Sequence, residues 1–238
     1  MLLEVKSVTK SFGGLVAVKD LGFTVNEGDV IGLIGPNGSG KTTSFHLIGG
    51  FLRPDKGEIR FEGNDITGLK PHRICQGGIA RTFQLTKPFA GMTALENVMV
   101  GSLYGGDPNR KMRQAAEECE KILAFVSLGG KGQSPVSALS VVDRKRLEIA
   151  RALATKPKML LLDEMMSGLT HTEMDEALDL VKAIRDLGIT LIVVEHVMKA
   201  ILEISQRLIV LNHGEKIAEG APREVMNNKT VIEAYLGE

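Results

Sequence analysis

The sequence predicts an α/β protein: a mostly parallel central sheet, an antiparallel β layer ahead of it, and a helical unit inserted in the middle. Three observations carry this. An apolar strand at 30–34 runs through a glycine-rich turn into a segment with helical spacing, the order strand, loop, helix. Three more apolar runs, at 159–162, 190–194 and 207–211, are separated by helical segments, the alternation that builds a parallel sheet. From about 89 to 155 the texture is helical instead.

Taken in order, residues 2–34 give short β-rich runs, LLEVKSVTKSF, LVAV, LGFTV and DVIGLIG, punctuated by Gly13-Gly14 and Asn26-Glu27-Gly28. This is the pattern of an antiparallel layer leading into a buried strand. Helical spacing resumes from Thr42 to Ile48, and GEIRFEG follows as a hairpin-like unit. In the helical stretch Met112, Ala115, Ala116, Cys119, Ile122, Leu123 and Val126 recur at steps of three and four and predict one buried face. The charges along 111–121 form the opposite, solvated face, with Glu117 and Lys121 spaced for an i,i+4 pair. The expected organisation is one domain over 1–238, its core built from 1–84 and 156–238, with a helical subdomain at 85–155 inserted between them.

At 43% hydrophobic residues the chain has ample material for a core without covalent staples. Lys+Arg and Asp+Glu both number 29, so no overall charge draws the chain to nucleic acid or anionic lipid. Cys75 and Cys119 are far apart and match no metal-binding spacing, which leaves them as free thiols. No apolar run approaches the roughly 20 residues of a membrane span, and the first residues lack the pattern of a signal peptide. A cytoplasmic location is expected.

The strongest motif is Gly35-Pro36-Asn37-Gly38-Ser39-Gly40-Lys41-Thr42, which fits GxxxxGK followed by Ser or Thr, in the required setting between strand and helix. Glycines let successive backbone N–H groups turn inward around phosphate oxygens, and the helix N-terminus adds partial positive charge. Lys41 is placed to reach the β- and γ-phosphates, Thr42 offers a hydroxyl to Mg2+, and Thr43 completes the nucleotide-contacting set. The run Met159-Leu160-Leu161-Leu162 ends in Asp163 and Glu164. Alone this is an ordinary solvated strand end. Beside a phosphate loop, Asp163 is placed to hold Mg2+ through water and Glu164 to orient the water that attacks the γ-phosphate. The fold class is therefore a P-loop, RecA-like α/β core.

Across nearly its whole length the sequence resembles the ATP-binding-cassette (ABC) ATPases. The resemblance implies ATP and Mg2+ as ligands. It implies that Phe12 stacks on adenine, and that Gln84, in Arg81-Thr82-Phe83-Gln84, approaches Mg2+ and the attacking water. It makes His196, after Val193-Val194-Glu195, a switch residue that contacts the γ-phosphate, and Ser167-Gly168-Leu169-Thr170 a loop that crosses to a partner subunit. The other histidines, His46, His72, His171 and His213, show no ligand spacing and are assigned nothing. The segments TFQLTKPF at 82–89, RLEIARAL at 146–153, EHVM at 195–198 and VIEAYLGE at 231–238 look like those of branched-chain amino-acid importers. Urea importers and lipopolysaccharide exporters carry similar subunits, so the cargo stays open. Implied partners are a second ABC ATPase subunit, integral membrane permease subunits and, through them, a solute-binding protein; no nucleic acid is implied.

One segment departs from the family. Where LSGGQ or LSYGQ is expected, the chain has Leu139-Ser140-Val141-Val142-Asp143, in a register fixed by the residues that follow. In the family this segment binds the γ-phosphate held by the opposite subunit. Ser140 is retained, but Val142 adds a branched side chain where backbone must approach phosphate, and Asp143 brings negative charge towards a negative ligand. Met165 stands where a proline usually follows the catalytic glutamate. The leading expectation is a transporter ATPase. The competing classes are a soluble ABC ATPase and a nucleotide-gated interaction module with little hydrolysis; the markers of the soluble class (two cassettes, coiled-coil insertions, a basic surface) are not in the sequence.

Overall fold

The structure, a computed structural model, describes residues 1–84, 87–105 and 111–236. Leu85 and Thr86 of the TFQLTKPF segment and the final Gly237-Glu238 lie outside the described residues, as does residue 85 at the expected subdomain boundary.

The first strands, β1 (Leu3–Phe12) and β2 (Leu15–Val25), pair antiparallel around Gly13-Gly14 and join β4 (Lys56–Phe61) and β5 (Asn64–Asp65) in a sheet of order β2-β1-β4-β5. The runs LVAV and LGFTV, expected as separate strands, form one. Asp20 adopts a left-handed φ of 49° between them, and the ladder to β1 shifts register there without breaking.

The second sheet has the order β10-β9-β3-β8-β7-β6, built from β3 (Val30–Ile34), β6 (Ile79–Arg81), β7 (Met159–Asp163), β8 (Thr190–Val194), β9 (Arg207–Asn212) and β10 (Glu215–Gly220). β9, β3, β8, β7 and β6 run parallel, while β10 closes the edge antiparallel to β9. Because both faces are covered, the parallel strands are apolar throughout rather than alternating. Their side chains divide by the two-residue period between two cores. Leu160, Leu162, Leu191, Val193, Leu208 and Val210 face one cluster, while Leu161, Ile192, Val194, Ile209 and Leu211 face the other. The second cluster is shared with the antiparallel sheet and with α1 (Lys41–Ile48).

The first cluster takes in the inserted helices α3 (Ala94–Tyr104), α4 (Met112–Phe125) and α5 (Val141–Ala154), and also α6 (His171–Asp186) and α7 (Met198–Ile204). Short helices at 71–76, 222–226 and 229–236 complete the chain; we number them α2, α8 and α9. Local chemistry sets the helix starts. Thr93 with Glu96 and Thr170 with Glu173 form capping boxes on α3 and α6, and Pro71 and Pro222 open α2 and α8. On α4 the buried stripe is Ala115, Cys119 and Leu123, continued by Val126; Met112, expected to be buried, is exposed in the first turn. Glu117 pairs with Arg113 at 3.1 Å rather than with Lys121.

α3 lies directly on α5 at Gly101, where an added Cβ would sit 2.3 Å from the Arg151 carbonyl oxygen. Gly101→Ala should therefore destabilise the fold by about 1–3 kcal/mol, because the overpacked helix pair must separate. Alanine's propensity advantage of ~1 kcal/mol in a helix works the other way. A denaturation midpoint that falls shows the contact dominating; a midpoint that rises shows propensity dominating.

Candidate functional site

The turn after β3 is hemmed in by backbone from two neighbouring strands. Gly35 has φ 148°, and a Cβ there would sit 2.0 Å from the Leu211 carbonyl oxygen; at Gly40, with φ 104°, it would sit 2.5 Å from that of Ala17. No L side chain fits either position. Lys41 is buried, and its Nζ donates to the Gly35 and Pro36 carbonyls at 2.7 and 2.8 Å. The Ser39 N–H donates to the Pro36 carbonyl, and the Ser39 carbonyl accepts from Gly214 N–H. Ser39 Oγ is buried and has no hydrogen-bond partner among the described residues, as befits a cradle whose donors and hydroxyls await an anion.

A cleft of about 390 Å³ opens above this loop, lined by residues 37–43 together with Phe12, Val16, Glu164, His196 and His213. Phe12, at the end of β1, leaves 46% of its surface exposed on the cleft wall, too much for a core phenylalanine. His213, to which sequence reasoning assigned nothing, arrives from the turn after β9. Only the structure reveals this, since no spacing links it to the loop.

Gln84, Glu164 and His196, which lie 80 and 32 residues apart in sequence, meet at one carboxylate. Glu164 Oε2 accepts from Gln84 Nε2 at 2.6 Å, and His196 Nε2 lies 2.7 Å from Oε1. Glu164 itself holds φ 48° and donates its N–H to the Val194 carbonyl. A left-handed non-glycine residue at a strand tip is the strain associated with functional positions.

Asp163 is buried and accepts from Arg81 Nη2 at 2.7 Å, while its N–H donates to Thr82 Oγ1. Sequence reasoning missed Arg81; its signal was a position three residues before Gln84. The guanidinium carbon stands 5.6, 5.6 and 5.2 Å from the ring centres of Phe45, Phe51 and Phe83. Burial pulls the Arg81 pKa down and the Asp163 carboxylate opposes it. Thr42, Gln84 and Asp163 supply oxygen donors of the kind Mg2+ takes. Among the described residues no cluster of three or more His, Cys, Asp or Glu could hold a metal.

Two further acids were not foreseen. Glu148 on α5 accepts from the Phe83 N–H at 2.7 Å, and Glu195 accepts from the Met166 N–H at 2.8 Å. Burial pushes both carboxyls up to about 7. Between them Lys145 donates to the Met165 carbonyl at 3.1 Å and to the Ser167 carbonyl. Met165, in the place of the usual proline, is buried in the core.

Ser140 does not line the cleft of its own chain. It caps α5, accepting from the Asp143 N–H at 3.1 Å while Asp143 accepts from the Ser140 N–H at 3.4 Å. The Asp143 carboxylate also pairs with Lys131 at 2.8 Å, so the charge that the sequence brings to this helix start is internally matched. Val141 points into solvent, 70% exposed.

Comparison with known proteins identifies the family. A family model described as "ABC transporter" matches residues 18–167, and one described as "Branched-chain amino acid ATP-binding cassette transporter" matches 215–238. The chain is 38% identical to the high-affinity branched-chain amino acid transport ATP-binding protein BraF of Pseudomonas aeruginosa, over all of this chain and 98% of that one. It is 36% identical to LivG of Escherichia coli, with the same coverage. The ADP conformation of MJ1267, an ATP-binding cassette of an ABC transporter, superposes with a TM-score of 0.91 at 35% identity, covering 100% of this chain and 99% of that one. The dimeric cassette MJ0796 bound to ADP and Pi gives 0.84 at 26% identity, covering 93% and 99%. With a family match over more than half its residues and relatives alike from end to end, the chain belongs to the ABC transporter family, as one of its ATPases.

Proposed function

We propose that this chain hydrolyses Mg-ATP to power the import of branched-chain amino acids through separate membrane subunits. It works as one of two ATPase subunits on the inner face of the cell membrane. The cargo assignment is supported by the named relatives, all branched-chain amino acid transport proteins, and by the match at 215–238. A solute-binding protein acts through the permease.

The observation that carries the hydrolytic reading is the Glu164 carboxylate held between Gln84 and His196 at the mouth of the phosphate loop. In this reading Asn37, Gly38, Ser39, Gly40 and Thr43 surround the phosphates with backbone and hydroxyl donors, Gly35 and Pro36 shape the turn that presents them, and Lys41 turns from its two carbonyls to the β- and γ-phosphates. Bound Mg2+ neutralises phosphate charge; Thr42, Asp163 and Gln84 are the residues that would hold it. Glu164 orients the attacking water, His196 senses the γ-phosphate, and Phe12 supplies an aromatic face for the base. Beside Gln84 a second groove of about 310 Å³, lined by Phe51, Arg81, Phe83 and Arg151, lies between the sheet and the inserted helices. We assign it to the permease, whose movement then reaches Gln84 directly; the helical unit at 85–155 swings relative to the core at 1–84 and 156–238.

In the dimer the start of α5 faces the nucleotide of the other subunit, and there Ser140 is the phosphate contact. Its hydroxyl oxygen already accepts the Asp143 N–H, and the Asp143 carboxylate, though paired with Lys131, adds negative charge near where phosphate must come. The nucleotide site completed by this segment is therefore the weaker of the two, while this chain's own phosphate loop, completed by a partner with an intact segment, is competent.

Three outcomes follow. Glu164→Gln should bind Mg-ATP with affinity near that of the wild type and lose hydrolysis by at least about 100-fold, because its carboxylate serves chemistry rather than binding. Equal loss of affinity and turnover, measured by nucleotide titration and phosphate release, would make it structural. Phe12→Ala should cost about 1 kcal/mol of nucleotide affinity with an unchanged melting temperature. A lowered melting temperature at unchanged affinity would contradict the stacking role. Finally, Val141→Gly, Val142→Gly and Asp143→Gln together should raise ATP-driven dimerisation and turnover at saturating Mg-ATP. A parent chain already equal to the triple variant would show the cap to be harmless.

A further inference from the structure

Glu148 takes no part in the chemistry proposed above, yet only 8% of it is exposed. Burying a carboxyl is costly unless it is satisfied, so its partner identifies its use. That partner is the N–H of Phe83, 2.7 Å from Oε1 and one peptide bond ahead of Gln84. One turn further along α5, Arg151 Nη1 donates to the carbonyl of Lys87 at 3.0 Å, and its guanidinium stands 4.7 Å from the ring centre of Phe89. The same helix face thus holds the chain on both sides of Gln84. The Glu148–Phe83 bond ties the backbone beside Gln84 to α5. What it fixes is the position from which the Gln84 side chain reaches Glu164 at 2.6 Å.

We infer that Glu148 is a positioning residue for hydrolysis: its hydrogen bond to Phe83 sets the place of Gln84 at the Glu164 carboxylate. The role rests on the reading of Gln84 and Glu164 given above. It acts from α5, the helix whose first turn faces the partner subunit in that reading. A carboxyl, ionised or protonated, keeps an oxygen that accepts the Phe83 N–H, and an amide does too, so glutamine is the faithful replacement and alanine the deletion.

The test compares Glu148→Gln and Glu148→Ala in the full chain, with Leu153→Ala, another buried α5 residue, as a control for lost packing. In nucleotide-free protein, amide hydrogen exchange over 83–84 should accelerate in Glu148→Ala alone, a measurement that needs no turnover. In steady-state hydrolysis of Mg-ATP, Glu148→Ala should lower kcat by about tenfold or more with KM changed by less than about twofold, because a displaced group costs chemistry rather than binding. Glu148→Gln should recover kcat to within about threefold of the parent, and Leu153→Ala should keep it despite a lower melting temperature. Unchanged exchange in Glu148→Ala, unchanged kcat, or a glutamine variant as impaired as the alanine variant would each overturn the inference. If parent turnover proves independent of Gln84, the functional reading fails. The exchange measurement then still decides whether Glu148 holds the segment, and the inferred role in hydrolysis falls with that reading.

Discussion

Parallel strands release their chains at one edge of a sheet, and apart from the wall that bears Phe12 the groups placed at this site depend on that edge. β3 ends in the phosphate loop, β6 in Gln84, β7 in Asp163 and Glu164, β8 in Glu195 and His196, and β9 in the turn bearing His213. The register is tight: Asp163 lies opposite Val194, and the next N–H, that of Glu164, bonds to the Val194 carbonyl. A slip of one residue between β7 and β8 would turn the carboxylates to the other face of the sheet, and the division of side chains between two cores forbids it. Core packing and catalytic geometry are therefore one constraint, enforced by the two-residue period of buried strands.

Much of this was legible in the sequence because it rests on local rules. The phosphate loop declares itself through glycines whose φ angles no other residue holds and through its setting between strand and helix. The parallel strands declare themselves through unbroken apolar runs. What was not legible depends on facing partners. Nothing near Arg81 shows that its charge is spent on Asp163, and Glu148 is one acid among many until its burial against Phe83 is seen. The error on α4 has the same origin, since Glu117 has an arginine and a lysine at equal spacing, and the structure pairs it with Arg113. Strand β2 was divided in two because a composition window shows a break at Asp20, whereas the ladder tolerates one left-handed residue.

The altered Ser140–Asp143 segment shows why a motif departure needs its surroundings. As letters it places an acid where an anion should bind. As structure it is a complete capping box with a lysine counter-ion, a stable helix start that leaves few unsatisfied donors. In the proposed dimer the bonds that complete this helix start leave its first turn fewer groups for phosphate recognition, so stability of the fold and competence towards a partner's nucleotide would be separable.

The backbone contact between α3 and α5 at Gly101 gives the inserted helices a mechanical character. Helices separated by interleaved side chains slide by exchanging rotamers, which absorbs small displacements. Where one backbone rests on the other there is no compliant layer, and the pair behaves as a single lever without play. Arg151, whose carbonyl forms that fulcrum, is also the residue that grips Lys87. The close helix pair and the chain at Lys87 are thus tied together through one residue.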